Sequence, residues 1–327
     1  MSSSTLGAPA LERLVAAAVA APSLHNTQPW RFRFDAGTRT VRIHAAADRA
    51  LRHTDPVGRA VHLSVGCAVL NLRIAAAHFG WEPVTRLLPC PDRPALLATV
   101  RLAESVRGGP STGLYEAVWR RHSSRFPFSG RPLPSDVLAE LTEAAHLEGA
   151  VLRFTGHDDT DRVLRATWEA EWRNRADSDR AAESRRLVRA PHCRSLGLAS
   201  AALGPQDTLD RMPMRDFGAH RHSEVLPARA FETHPTLALL STAHDRRTDW
   251  LRAGQALERV LLLATRRGVR ASLLHQTMEW PDLRRVLGGL PAHGPRGHAQ
   301  MVIRLGYGPE GPASPRRTVK EAMEGDV

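Results

Sequence analysis

Residues 21–32 read "APSLHNTQPWRF", and their reading sets the rest of the chain in order. A helix-period segment over 11–21 ends at Pro22, a polar turn follows, and Gln28, Pro29 and Trp30 lead into a β-rich run over 31–34. Proline at both ends of the turn, Pro22 and Pro29, fixes its shape. Ser23, Asn26 and Gln28 then present short hydroxyl and amide groups at set angles. Such a mix of donors and acceptors suits the edge of a polar heterocycle. A plain helix-to-strand connector fits the same residues.

Two basic stretches lie downstream. The segment "RRHSSRFPF" over 120–128 follows a helix containing Tyr115, Val118 and Trp119. It sets three arginines, a histidine and two serines beside Phe126 and Phe128, which demand burial. Arginine forks with hydroxyls suit a phosphate, or carbonyl oxygens on a conjugated ring. The alternative is an amphipathic helix end whose arginines complement the dipole. The tail "SPRRTVKEAM" over 314–323 carries a second arginine pair, either a phosphate clamp or a mobile basic end.

Between these stretches, apolar residues recur at three- and four-residue steps over 11–21, 60–79, 135–146, 161–174 and 250–267, which predicts helices. Ser135 and Asp136, just after Pro134, fit a helix start. Strands are expected over 31–34, 41–44, 98–102, 151–154, 236–241 and 300–305. The order lacks a regular βαβ cadence, so the expected class is α+β, with helices packed on a mostly antiparallel sheet.

The segments "GCAVLNLRIAAAHFG" (66–80) and "GQALERVLLLATRRG" (254–268) form a weak repeat. Each is an apolar helix with a glycine stop and an extended segment after it. Upstream, "WRFRF" near Phe34 has a faint counterpart in "VLRF" ending at Phe154. Phe32 to Gly66 is 34 residues and Phe154 to Gly254 is 100, so the second part carries about 66 more. These fall around 170–234, an expected insertion that serves either as a lid over a site or as a surface excursion. The expected organisation is two related halves, 1–110 and 111–327.

Composition narrows the partners. The net charge of +11 would suit a polyanion, but Lys320 is the only lysine and the arginines are scattered. A solvated surface with a few arginines around an anionic ligand accounts for that better than nucleic acid does. Cys67, Cys90 and Cys193 show no metal-ligand spacing and suit a reduced compartment. His220 and His222 are the one tight histidine pair, without a carboxylate cluster, so no metal is expected. No secretory signal is read at the N-terminus, and no apolar run approaches the roughly 20 residues that span a bilayer. A cytoplasmic protein is the expectation.

Together, "APSLHNTQPW" and "RRHSSRF" resemble the two most recognisable motifs of the FMN-dependent nitroreductase family. Ordinary members carry the arginine-serine motif first, and two subunits complete each flavin site; here the order is reversed. With "WLRAGQALERVLLLATRRG", "LLHQTMEWPDLR", "VIRLGYGP" and the final "PRR", the chain is similar to the Acg-type branch, in which two halves are fused as an internal pseudo-dimer. The resemblance runs from Leu11 to about Met323.

It implies a nitroreductase-like fold and one FMN per chain, in a monomer or weak homodimer. Arg121, His122, Ser123 and Arg125 match positions holding the flavin's pyrimidine side, ribityl chain and phosphate. Pro22, Ser23, Leu24 and Asn26, with Gln28 beside them, match the turn that reaches the ring from the other half. Leu273 and Leu274 match the segment whose backbone amides approach flavin N5, and Arg316 and Arg317 the terminal basic pair near the phosphate. The implied reaction passes hydride from NAD(P)H through N5 to a nitroaromatic, quinone or related acceptor, with no catalytic side chain required. Leu24 stands where many members have a small polar residue, and the insertion is longer than usual. A second implied reading is therefore FMN storage under a permanent cover.

Overall fold

The computed structural model describes residues 7–104, 113–189, 195–217, 227–290 and 297–323. Cys193, His220 and His222 lie outside them. The helices are α1 (Ala8–Val19), α2 (Arg59–His78), α3 (Leu114–Arg120), α4 (Ser135–His146), α5 (His157–Ala176), α6 (Ser178–Leu187), α7 (Arg247–Arg266), α8 (Pro281–Gly288) and the short α9 (Val319–Ala322). The longer strands are β1 (Trp30–Asp35), β2 (Thr40–Ala45), β3 (Trp81–Leu87), β4 (Leu96–Glu104), β5 (Val151–Phe154), β6 (Thr236–Thr242), β7 (Arg270–Leu274) and β8 (His298–Gly306).

These strands make two four-stranded sheets, ordered β1-β2-β4-β3 and β5-β6-β8-β7, and every neighbouring pair is antiparallel. Each sheet is made the same way: two strands, a 20-residue helix (α2 or α7), then two more strands. β1 and β5, which carry the WRFRF and VLRF runs, open the two series and occupy equivalent edges.

α2 and α7 pack against each other at the centre, and one continuous apolar core joins them to α1 and the inner faces of both sheets. The helices approach closely at Gly66 and Gly254. A Cβ on Gly66 would stand 2.2 Å from the Leu251 carbonyl oxygen, and one on Gly254 would stand 2.0 Å from that of Leu63. Any side chain there would push the helices apart. α2 is long and apolar enough to cross a membrane by length and composition, although its apolar residues do not form one unbroken run. It lies in this core, with Leu63, Val65, Val69 and Leu72 buried against its neighbours.

Two strands were not expected as such. β3 contains Pro83, which removes a ladder donor, but β3 is an edge strand, where that loss is tolerated. β7 is the short extended segment after the Gly268 stop, also at an edge. α1 ends at Val19 rather than reaching Pro22, because Ala20 caps it and the turn begins there.

The excursion between β5 and β6 begins with α5, earlier than position 170. It continues through α6 and two short parallel ladders, Val188–Arg189 with Leu198–Ala199 and Gln206–Asp207 with Ala228–Arg229. Within it, the Asp207 carboxylate accepts backbone N–H groups of Leu209, Arg211, Met212 and Phe231 and so ties the loop to itself. Those bonds hold its pKa below the usual carboxylate range against the opposing effect of burial.

Candidate functional site

The polar turn after α1 is strained. His25, Asn26 and Gln28 all adopt positive φ (51°, 56° and 47°) without being glycine. Such a conformation costs of order 1–3 kcal/mol per residue and persists only where surrounding contacts over-determine it. Those contacts are present. Gln28 N–H donates to Ser23 Oγ at 2.9 Å, and Asn26 Nδ2 donates to the carbonyls of Gly197 (2.9 Å) and Pro315 (2.8 Å). Asn26 Oδ1 accepts from Arg316 at 2.9 Å. The turn is thereby knotted to both the insertion and the C-terminal tail.

The arginine-serine stretch leaves α3 at Arg121 and runs beside β7. Ser123 forms a parallel bridge with Ala271, and Ser124 N–H donates to the Ala271 carbonyl at 2.8 Å. Ser124 Oγ donates to the Pro309 carbonyl. This pairing brings the stretch alongside Leu273 and Leu274.

The turn, the arginine-serine stretch, β7 and the tail converge on one open-mouthed cleft of about 1050 Å³, mouth included. Pro22, Ser23, Leu24 and Asn26 form one wall; Arg121, His122, Ser123 and Arg125 form another. Leu273 and Leu274 with Arg316 complete the expected set. Two expected residues stand apart. Gln28 is fully buried outside the lining, its Oε1 accepting from Arg317 N–H and its Nε2 donating to the Ser195 carbonyl. Its amide is spent on holding the tail and the insertion rather than facing the cleft, where the sequence suggested a cofactor edge. Arg317 borders an adjoining depression with Glu12 and Trp119.

The cleft is cationic. Arg121 is 5% exposed and donates to the Ala20 carbonyl. Burial, and then Arg215, draws the Arg125 pKa down to about 10; burial, and then Arg121, draws that of Arg316 to about 9. Among the described residues, neither Arg125 nor Arg316 has a carboxylate within ion-pair distance. The nearby acid is Glu258 on α7, wholly buried, with Oε1 3.4 Å from Arg121 Nε. Burial pushes Glu258 up to about 7, against the pull of Arg121. Both its oxygens, and the Nε atoms of Arg121 and Arg316, are buried without a hydrogen-bond partner. Unpaired buried donors of this kind are costly and call for an anionic or oxygen-rich partner. The half-buried His122 is held below its usual pKa by burial and by Arg121 and Arg316.

The insertion supplies a wall that reading the sequence did not assign: Leu198, Met214, Arg215 and Phe217 line the cleft. It is fastened by Glu279, in the turn after β7. This fully buried carboxylate pairs with Arg215, accepts from Asn174 at 3.0 Å, and lies 3.4 Å from Arg180. His275 Nδ1 reaches it at 3.0 Å, while His275 Nε2 faces Arg59 Nη2 at 3.0 Å. Arginine only donates, so Nε2 accepts and the Nδ1 proton goes to Glu279. Burial raises the Glu279 pKa, but Arg215 and His275 outweigh it and hold the carboxyl at about 2.

His25 was also passed over. It is 6% exposed in the cleft wall, edge-on to Phe217 with ring centroids 5.2 Å apart, and both ring nitrogens lack a partner. Its chemistry shows only in three dimensions, since a histidine between Leu24 and Asn26 carries no spacing signal.

Residues 118–307 match the model of the Nitroreductase family. The chain is 30% identical to Rv3131 of Mycobacterium tuberculosis H37Rv, named as a candidate NAD(P)H nitroreductase, over 94% of this chain and 89% of that one. It is 29% identical to the same organism's Acg protein, named likewise, over 96% and 95%. Among solved structures, it is similar to an FMN-dependent nitroreductase of Mycobacterium smegmatis in complex with NADPH, at 16% identity and a TM-score of 0.41, over 65% of this chain and 100% of that one. A Bacteroides fragilis nitroreductase with bound FMN aligns at 18% identity and a TM-score of 0.39, over 65% and 98%. By its family-model match and its near-full-length relatives, the chain belongs to the nitroreductase family.

Proposed function

We propose that the cleft holds one FMN and that the protein is an NAD(P)H-dependent oxidoreductase acting on a small nitroaromatic, quinone or related acceptor. One observation carries this reading: the Ser/Asn turn and the Arg/Ser stretch, about 100 residues apart in sequence, line a single cleft in which the buried Nε donors of Arg121 and Arg316 have no hydrogen-bond partner. That donor set fits an anionic cofactor with a conjugated, oxygen-edged ring. Arg316 and Arg121 would take the phosphate end, and Arg125 the oxygen-rich ring edge. Backbone N–H groups at Leu273 and Leu274 and the hydroxyls of Ser23 and Ser123 would hold the remaining polar edge. Bound there, the flavin supplies hydride acceptance and return, so no side-chain nucleophile is required. The chain's part is to place the ring, exclude water and set positive charge beside it.

We also propose that 1–110 and 111–327 are two nitroreductase-like halves fused in one chain. The repeated strand order and the reciprocal Gly66–Gly254 contact support this.

FMN storage is the second reading, favoured by the insertion that walls the cleft and is fastened through Glu279. Anaerobic mixing with NADH or NADPH separates the two. Rapid bleaching of the flavin absorbance supports the reductase; bleaching by dithionite alone supports storage.

A further inference from the structure

The turn over 22–28 offers the cleft fewer free polar groups than its sequence suggests. Both amide groups of Asn26 and Gln28 are committed to Gly197, Pro315, Arg316, Ser195 and Arg317. Ser23 Oγ accepts from Gln28 N–H. His25 alone in this turn keeps a polar side chain in the cleft wall with neither ring nitrogen paired. It keeps that position at a positive φ of 51°, so the backbone bears strain to present it.

Its surroundings place it beside the insertion's part of the cleft wall. The ring meets Phe217 of the insertion, and Arg215, Glu279, His275 and Arg125 are the charged or titratable groups acting on it. Arg121 and Arg316, the arginines suited to a phosphate, are not among the groups acting on it. Burial and Arg215 hold the imidazole well below its usual pKa and so neutral. A neutral imidazole carries one N–H and one lone pair, and its χ2 torsion is soft, so the ring can turn to offer its N–H to a bound partner. Leu198, Met214 and Phe217, from the insertion, are apolar and buried in the same wall. Apolar walls with a few convergent donors, here His25 beside Arg125 and Arg215, select a flat ligand bearing a well-placed acceptor oxygen.

We infer that His25 is the acceptor-recognising residue of this cleft, donating its imidazole N–H to an oxygen on a flat, electron-poor ring such as a quinone carbonyl, beneath the wall formed by Met214 and Phe217. This rests on the proposed flavin site and adds its substrate end. The role is recognition; no proton transfer is assigned to His25.

The test uses the flavin-loaded protein reduced anaerobically with one equivalent of dithionite, which bypasses NAD(P)H. It is then mixed with increasing 1,4-naphthoquinone while flavin reoxidation is followed. His25→Phe should keep one flavin per chain but need about tenfold more quinone for half-saturation, the loss expected for one hydrogen bond. His25→Gln, which retains an N–H donor, should recover most of that loss. An unchanged concentration dependence in His25→Phe overturns the inference. So does loss of flavin from that variant, which would place His25 on the cofactor. Wild-type protein that carries no flavin, or whose reduced flavin ignores quinone, instead sinks the parent reading and this one with it.

Discussion

Gly66 of α2 and Gly254 of α7 touch across the centre of the molecule, and their contact is reciprocal. A Cβ added to either would lie 2.9 Å from the other's Cα. Each would also strike the carbonyl three residues before its partner glycine, Leu251 for Gly66 and Leu63 for Gly254. Mutual contact between equivalent positions is what a two-fold interface requires. These two glycines also head the 66–80 and 254–268 segments of the sequence repeat.

Two outcomes follow from that contact. Gly66→Ala or Gly254→Ala should each destabilise by roughly 1–3 kcal/mol through overpacking, measured by urea unfolding. If the proposed halves are fused in one chain, the unsubstituted protein should carry flavin as a monomer. Sedimentation showing an obligate dimer with flavin shared between chains would contradict the fused-halves reading.

Glu258 should leave a mark on the pH dependence of stability. Burial raises its folded pKa from 4.5 to about 7. Between those values the unfolded chain has lost the proton that the folded chain retains, so stability falls as pH rises through this window. The change is roughly 3 kcal/mol by the usual linkage. Glu258→Gln should flatten this slope in flavin-free protein, read from urea midpoints between pH 5 and 7.5. An unaltered slope would mean that the carboxyl is solvated or firmly paired.

Glu279 fastens the insertion, and removing its charge should loosen it. Its depressed pKa contributes stability that is present above about 4.5 and lost as pH falls through about 2. Glu279→Gln leaves Arg215 and Arg180 without their buried counter-charge, at about 3–5 kcal/mol. Limited trypsin digestion should then cut within 157–235 before the core opens. Equal resistance in wild type and variant would show that the wall does not depend on this carboxylate.

Much of the fold was legible because the local signals agree. The apolar period over 60–79 and 250–267 matches α2 and α7 to within a few residues, and 135–146 matches α4 to the residue. β3 was hidden by Pro83, which argues against a strand unless its edge position is known. The site was legible in part. The peptides that form the cleft carry distinctive residue sets, but the duty of each residue depends on distant partners. Gln28 looks like a ligand group until Ser195 and Arg317, 167 and 289 residues away, are seen to occupy its amide. His25 looks idle until it proves to be the side chain of the turn that nothing occupies.

Arg121 joins the two sides of the cleft, since it donates to Ala20 just before the turn while its Nε faces Glu258. The central claim is tested most directly by the flavin-to-chain ratio of native and Arg121→Ala protein, each purified without added cofactor. The expected result is one FMN per chain in the native protein and little or none in the variant, with both folded by circular dichroism. Native protein devoid of flavin, or a variant that retains the full complement, would contradict the account.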